Sequence, residues 1–433
     1  MQLTPEEKRR TLAAATLTLL GGGLPSAQAE DKTWDIDTAV MVYAESDNRV
    51  QAVEPVLKGT LDLGAERYFT AKLVVDTLTG ASPNGATPAS TPQTFAGPSP
   101  YTADPNETPL DDRFRDTRFQ GVVDYQFPLS DVDTLGFGVN AGTEYDFVSL
   151  GGNLRYARDL FQHNTTLSAG LNFESDSIDP VGGIPIPLAV MRPASDSDDD
   201  SGIDDDMNGR RDGSSDSKTV TDVVLGWTQV IDPKSLFQMN YSLSTSSGYQ
   251  NDPYKVLSVV GMDGEPLRYV YEARPDSRSK NALFMSYKRF VFDRDVTEIS
   301  YRYMSDDWGI DSHTVDLSYR WYFGAAHYLE PHLRWYSQTA ADFYHVALDD
   351  GEETLVSEAS ADTRLAEFDA VTAGIKLGSA VPGRGNWSLR LEYYQQSPKL
   401  GGVPTQAADG LSKFDLQPEL SAVMLTMGYR FTW

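Results

Sequence analysis

The 433-residue chain has no cysteine, which removes disulfides, thiol nucleophiles and thiolate metal sites together. Histidine is scarce, with only His163, His313, His327, His332 and His345. Of these His332 alone falls clearly on an inward strand register, beside Glu330 and Arg334, where a place in a polar network is the expected role. Basic residues are outnumbered, 36 Lys and Arg against 63 Asp and Glu, for a net charge of −27. That surplus excludes nucleic acid as an expected partner. Beyond Leu24 no apolar run approaches the roughly 18 residues of a membrane helix. The chain also lacks a nucleotide-binding glycine motif and an HExxH motif. No catalytic residue is expected, and an outer-membrane enzyme is the weakest reading of this sequence.

What is present begins at the C-terminus. Val423, Leu425, Met427, Tyr429, Phe431 and Trp433 are apolar, and the residues between them are mostly small or polar. Side chains alternate across a strand, so this is one strand with a wholly apolar face ending on an aromatic. That pattern resembles the C-terminal signal of bacterial outer-membrane β-barrels, which implies recognition by the barrel-assembly machinery. At the other end Lys8, Arg9 and Arg10 precede an apolar stretch from Leu12 to Leu24 and then Ala27-Gln28-Ala29. This is the layout of a cleaved secretory signal, expected over residues 1–29, with a barrel over 30–433. Export without disulfides suits a closed barrel, where every wall backbone group is paired between strands.

Period-2 segments recur along the chain, about sixteen in number and each close to the length a tilted strand needs to cross a bilayer. Phe137, Val139, Ala141 and Tyr145 alternate with Gly138, Asn140, Gly142 and Glu144, and Leu167, Ala169, Leu171 and Phe173 alternate with Ser168, Gly170, Asn172 and Glu174. The connections alternate too: short turns at one end, and at the other the long loops 80–115, 176–217, 246–278, 340–368 and 397–419. The expectation is an all-β, transmembrane, antiparallel up-and-down barrel with short periplasmic turns and long extracellular loops. Its lipid face would meet outer-membrane lipid and lipopolysaccharide, and a homo-oligomer is compatible with it. Tyr and Trp near strand ends, among them Trp34, Tyr125, Trp308, Trp321 and Trp387, suit two interfacial girdles. The stretches Leu78–Ala86 (LTGASPNGA), Phe114–Arg118 (FRDTR), Asn164–Gly170 (NTTLSAG) and Asp176–Pro185 (DSIDPVGGIP) resemble a family of Gram-negative outer-membrane proteins defined only by a conserved domain of unknown function. The resemblance implies a surface-exposed barrel over the whole exported chain and carries over no substrate and no functional residue.

Two features could carry chemistry. In the loop 176–217, Asp204, Asp206, Asn208 and Asp212 stand at calcium-loop spacing around Gly209, and Asp196, Asp198 and Asp200 form a shorter copy before Gly202. Alternating carboxylates with a glycine bend place hard oxygens around one point, which suits weak structural Ca²⁺. The closing bidentate Glu is missing, and a solvated acidic loop is the competing reading. The second feature is charge on the inward register: Lys288, Arg302, Arg320, Arg334, Lys376, Arg390 and Arg430 late in the chain, with Asp124, Glu144 and Glu174 earlier. Opposed arcs would line a pore and filter solutes by charge; alternatively these groups pair with Glu298, Asp316, Glu330 and Glu392 and fill the interior. The functional expectation is a pore passing small solutes. The alternative is a plugged barrel presenting loops to partners.

Overall fold

The computed structural model describes residues 33–46, 49–95, 101–191, 215–292, 294–381 and 383–433. The segment 1–29 expected to be a secretory signal, and the candidate calcium ligands Asp196, Asp198, Asp200, Asp204, Asp206, Asn208 and Asp212, lie outside the described residues. Sixteen strands form one closed antiparallel barrel in which each pairs with its sequence neighbours. They are β1 (Trp34–Glu45), β2 (Gln51–Asp62), β3 (Tyr68–Pro83), β4 (Leu110–Pro128), β5 (Asp133–Thr143), β6 (Phe147–Leu160), β7 (Thr165–Ile178), β8 (Asp216–Asp232), β9 (Ser235–Gly248), β10 (Ser277–Val291), β11 (Asp295–Asp306), β12 (Asp311–Phe323), β13 (His327–Gln338), β14 (Phe368–Val381), β15 (Gly385–Pro398) and β16 (Leu420–Thr432). Each expected segment corresponds to one of them. Closure is made by β1 on β16, with Ile36 opposite Phe431 and Val42 opposite Leu425. Past the last strand, the Trp433 and Trp34 backbones exchange N–H···O bonds of 2.8 and 2.7 Å.

The large apolar side chains of the wall point out of the barrel and are exposed, for example Val40, Val139, Leu150, Leu225, Leu317, Leu333, Leu391 and Val423. A band of this kind running round a closed wall is what hydrocarbon, not water, would solvate. Aromatic pairs gather at the short-turn end: Trp34 with Phe69, Tyr125 with Phe127, Trp227 with Phe237, Trp321 with Phe323 and Tyr429 with Phe431. Trp308 departs from the girdle expectation. It is 3% exposed, edge-on to Phe343 at 5.1 Å, and its indole N–H donates to Ser277 O at 2.8 Å. Its indole therefore belongs to the packing of the loops.

Several strands run further at the long-loop end than hydropathy implies, β3 and β4 pairing as far as Pro83 opposite Leu110. Above the hydrocarbon a strand no longer needs an apolar outer face, so Gly, Ser and Asp continue a ladder that alternation alone reads as loop.

Candidate permeation site and its lid

The inward register carries a lattice of ion pairs. Lys288 Nζ stands 2.9 Å from Glu298, and Arg320 Nε donates to Glu330 at 2.5 Å with its guanidinium 4.5 Å over the Tyr328 ring. Arg390 reaches Glu330 and Glu392, each at 3.3 Å. Arg334 Nε donates to Asp316 at 2.8 Å, and Arg430 Nε to Asp35 at 2.9 Å. Asp124 pairs with Arg155 at 2.6 Å, and Glu174 accepts from Asn140 at 3.1 Å; Glu144, expected on the inward register, instead lies in the connection after β5 ends at Thr143 and pairs there with Arg118 at 3.4 Å. His332 is held between Asp316 (2.8 Å) and Glu392 (2.7 Å). These bonds describe mutual neutralisation rather than two free arcs of opposite sign. Among the described residues Arg302 and Lys376 have no carboxylate within the 4.0 Å that defines an ion pair.

Glycine makes part of this lattice possible. His332 and Glu392 both sit opposite Gly374, one from each side. With no side chain between them, imidazole and carboxylate meet across the intervening strand; a Cβ on Gly374 would fall 2.5 Å from Glu392 Cγ. Asn140 and Glu174 meet in the same way over Gly151.

At the long-loop end the connections do not stand free; they interlock into a lid. Val256–Val260 pairs antiparallel with Pro266–Tyr271 and parallel with Leu348–Asp349, joining two loops in one small sheet. Leu257, Val259, Val270, Leu348 and Ala359 in its core are 0% exposed. The short helix Ala408–Leu411 sets Ala407 and Leu411 against Val260 and Ala347, and Gln93–Phe95 with Tyr101–Ala103 adds a hairpin whose Phe95 packs on Tyr269 at 4.9 Å. The small sheet turns at Asp263-Gly264, where Gly264 has φ +77 and lies so close to Gly410 that a Cβ would reach its carbonyl carbon at 2.4 Å. That Asp-Gly pair between apolar runs is the hairpin signal that sequence reading passed over.

Beneath this core lies a buried charge network. Arg274 Nη2 donates to Glu272 and to Asp362, each at 2.9 Å, and Ser360 Oγ donates to Glu272 at 2.6 Å. Arg364 Nε donates to both Asp362 oxygens, at 3.0 and 2.9 Å. Burial pushes the Glu272 carboxyl above its ordinary pKa, against the pull of Arg274. For Asp362 burial acts in the same direction, but the hydrogen bond and charge of Arg364 overcome it and hold the carboxyl well below the usual carboxylate range. The lid is tied to the wall by Gln338, whose amide donates to Arg364 O (3.0 Å) and Ala366 O (2.7 Å), and by Tyr254, whose hydroxyl donates to Asp146 at 2.8 Å.

Two adjoining cavities lie between wall and lid. One of about 550 Å³ is bounded by Ser242, Ser244, Arg278, Lys280, Arg302 and the lid residues Arg274, Asp362 and Arg364. The other, about 880 Å³, shares Arg302, Tyr336, Gln338, Asp362 and Arg364 with it and reaches across to Tyr43, Glu45 and Tyr394. The interior face is polar for much of its height. Among the described residues no group of three or more Asp, Glu or His side chains is gathered as a metal site.

An antiparallel wall closed on itself, apolar outside and charged within, is the architecture of transmembrane β-barrels. Over residues 9–431 the chain matches the family described as "Protein of unknown function (DUF3570)", and it belongs to that family. No curated protein matches it. The solved structures it resembles are distant. The "CymD monoaromatic hydrocarbon channel" is 9% identical, with 98% of this chain and 93% of that one covered at a TM-score of 0.41. OccK3 (OpdO) of Pseudomonas aeruginosa is 9% identical over 94% and 97%, TM-score 0.40. The anion-selective porin of Comamonas acidovorans is 11% identical over 92% and 98%, TM-score 0.35.

Proposed function

We propose that this chain is an outer-membrane channel for small hydrophilic solutes, inserted with the lid outside and the short turns in the periplasm. The carrying observation is the charged inner face of a sixteen-stranded wall that continues into the two cavities under the lid. Walls of about sixteen strands enclose a water-filled lumen unless something fills it. The lattice of paired charges keeps that lumen wet and its side chains in place, while the lid narrows one mouth. The apolar outer band would take lipid and lipopolysaccharide, and the apolar face of β16 would address the assembly machinery. The segment holding Asp196, Asp198, Asp200, Asp204, Asp206, Asn208 and Asp212 would bind Ca²⁺ weakly.

A second reading, a capped barrel acting as an interaction platform, is favoured by one observation: the lid has a core of its own with Leu257 and Leu348 fully buried. Single-channel recording on the refolded chain separates the two. Sustained conductance supports the channel. A folded barrel that stays silent with the lid intact, and also with the lid loosened by Leu257→Ala, removes the channel reading and leaves the platform.

A further inference from the structure

We propose that the smaller cavity under the lid is a binding site for small dianions, a dicarboxylate or a phosphate, read by Lys280 and Arg302. Several of the cations there are already neutralised. Arg278 is paired with Asp306 and stacked 4.3 Å over the Trp308 ring. Arg274 and Arg364 are engaged by Glu272, Asp362 and Asp252. Lys280 and Arg302 line the same cavity, and among the described residues no carboxylate stands within the 4.0 Å of an ion pair from either. Both project from the wall face opposite the lipid-exposed one, with the hydroxyls of Ser242 and Ser244 beside them.

Lys280 feels the charges of Asp222 and Asp306, but neither stands at ion-pair distance and Asp306 is taken by Arg278; an anion between Lys280 and Arg302 relieves the repulsion that remains. Their spacing selects the kind of anion. Lys280 is opposite Asp306 and Phe284 is opposite Arg302, so the cations sit on adjacent strands, offset by four residues or about 13 Å along the strand axis. Their long side chains can close either on a solute with an anionic group at each end or on a single dianionic centre held between their tips, and a cavity of about 550 Å³ has room for both. The guanidinium of Arg302 offers a paired donor to one end and the ammonium of Lys280 a point charge to the other. Arg302 also borders the larger cavity, which gives the anion a route in. The inference deepens the channel reading by naming the class of solute, while the site's chemistry does not require conduction.

The test is titration calorimetry on the refolded full chain at fixed ionic strength, with succinate, inorganic phosphate and acetate as probes. Succinate or phosphate should bind about tenfold tighter than acetate, since each charge-assisted contact contributes about a factor of ten. Arg302→Gln and Lys280→Gln should each weaken that binding about tenfold. Arg302→Lys should restore most of it, and Lys413→Gln, on the lid and paired with Glu265, should leave it unchanged. Which dianion binds decides between a dicarboxylate and a phosphate ligand. Absence of binding by both probes in protein that is folded by heat-modifiability overturns the site, as does binding undiminished in both Gln variants. Conductance is recorded in parallel: a barrel that binds succinate but is silent both as wild type and as Leu257→Ala refutes the channel and keeps the site, whereas a conducting one that binds neither does the reverse.

Discussion

Leu257→Ala should open the lid and leave the wall untouched. Leu257 is 0% exposed and packs with Val259, Val270, Leu348, Ala359 and Ala361, residues drawn from two separate loops. Truncating a leucine in such a core costs about 2–5 kcal/mol, the transfer energy of the lost methyls plus the cavity they leave. None of that cost falls on the barrel, whose strands are held by their own ladders and whose apolar face is outside. Because lid and wall are stabilised by different contacts, the variant should change a local opening equilibrium rather than global unfolding. At a factor of ten per 1.4 kcal/mol, lid opening should rise about 30- to 4,000-fold. Hydrogen–deuterium exchange reads this directly: the amides of Val259, Val270 and Ala359, bonded within the lid, should exchange faster by that factor. The amides of β5 to β7 should keep the wild-type rate. Faster exchange in lid and wall together would refute the separation of the two cores. No change in either would refute the packing assigned to Leu257.

The contacts of Asp362 in the lid should also loosen in acid. Asp362 has a folded-state pKa depressed by Arg364, so its contribution is present above the unfolded value and is lost as pH falls below about 4; Trp308 fluorescence should report that transition, and Asp362→Asn should show the loosened signal already at neutral pH. The chain has no cysteine, so Leu355→Cys, at an 84% exposed lid position, and Phe161→Cys, at a 77% exposed short turn, can be probed with a membrane-impermeant maleimide on intact cells. Labelling of the first alone is expected, and the opposite pattern would invert the topology. Removing Phe431–Trp433 deletes the pairing of Phe431 with Ile36 and the terminal aromatic, and should sharply lower the heat-modifiable, membrane-inserted fraction. Calcium should bind with a Kd of about 10⁻⁴–10⁻³ M, as in extracellular sites that lack a full ligand set. Calorimetry at fixed salt should lose that heat in Asp204→Ala/Asp206→Ala, and unchanged heat would assign it to screening.

Alternation in Phe137–Ala141 or Val423–Phe431 by itself determined the strands, their lipid-facing side and their number, because in a membrane wall each residue answers to a single local question: lipid or lumen; that it ran on to Tyr145, past the end of β5 at Thr143, shows that it does not fix where a strand stops. Turn lengths determined which end carries the loops. The partners inside the wall were a different matter. His332 meets Glu392 only because the register puts Gly374 between them, and among the described residues Arg302 has no ion-pair partner because its opposite residues are Phe284 and Thr314. Register is a relation between strands, and no single segment contains it. The lid was less legible still. Its central strand Val256–Val260 pairs with Leu348–Asp349 across nearly a hundred residues, and its apolar runs are too short to be told from ordinary loop. What such residues do depends on which distant loops the closed barrel brings to one rim. Only the tertiary structure decided that the long connections would bury a core together and leave Lys280 and Arg302 facing the space beneath it.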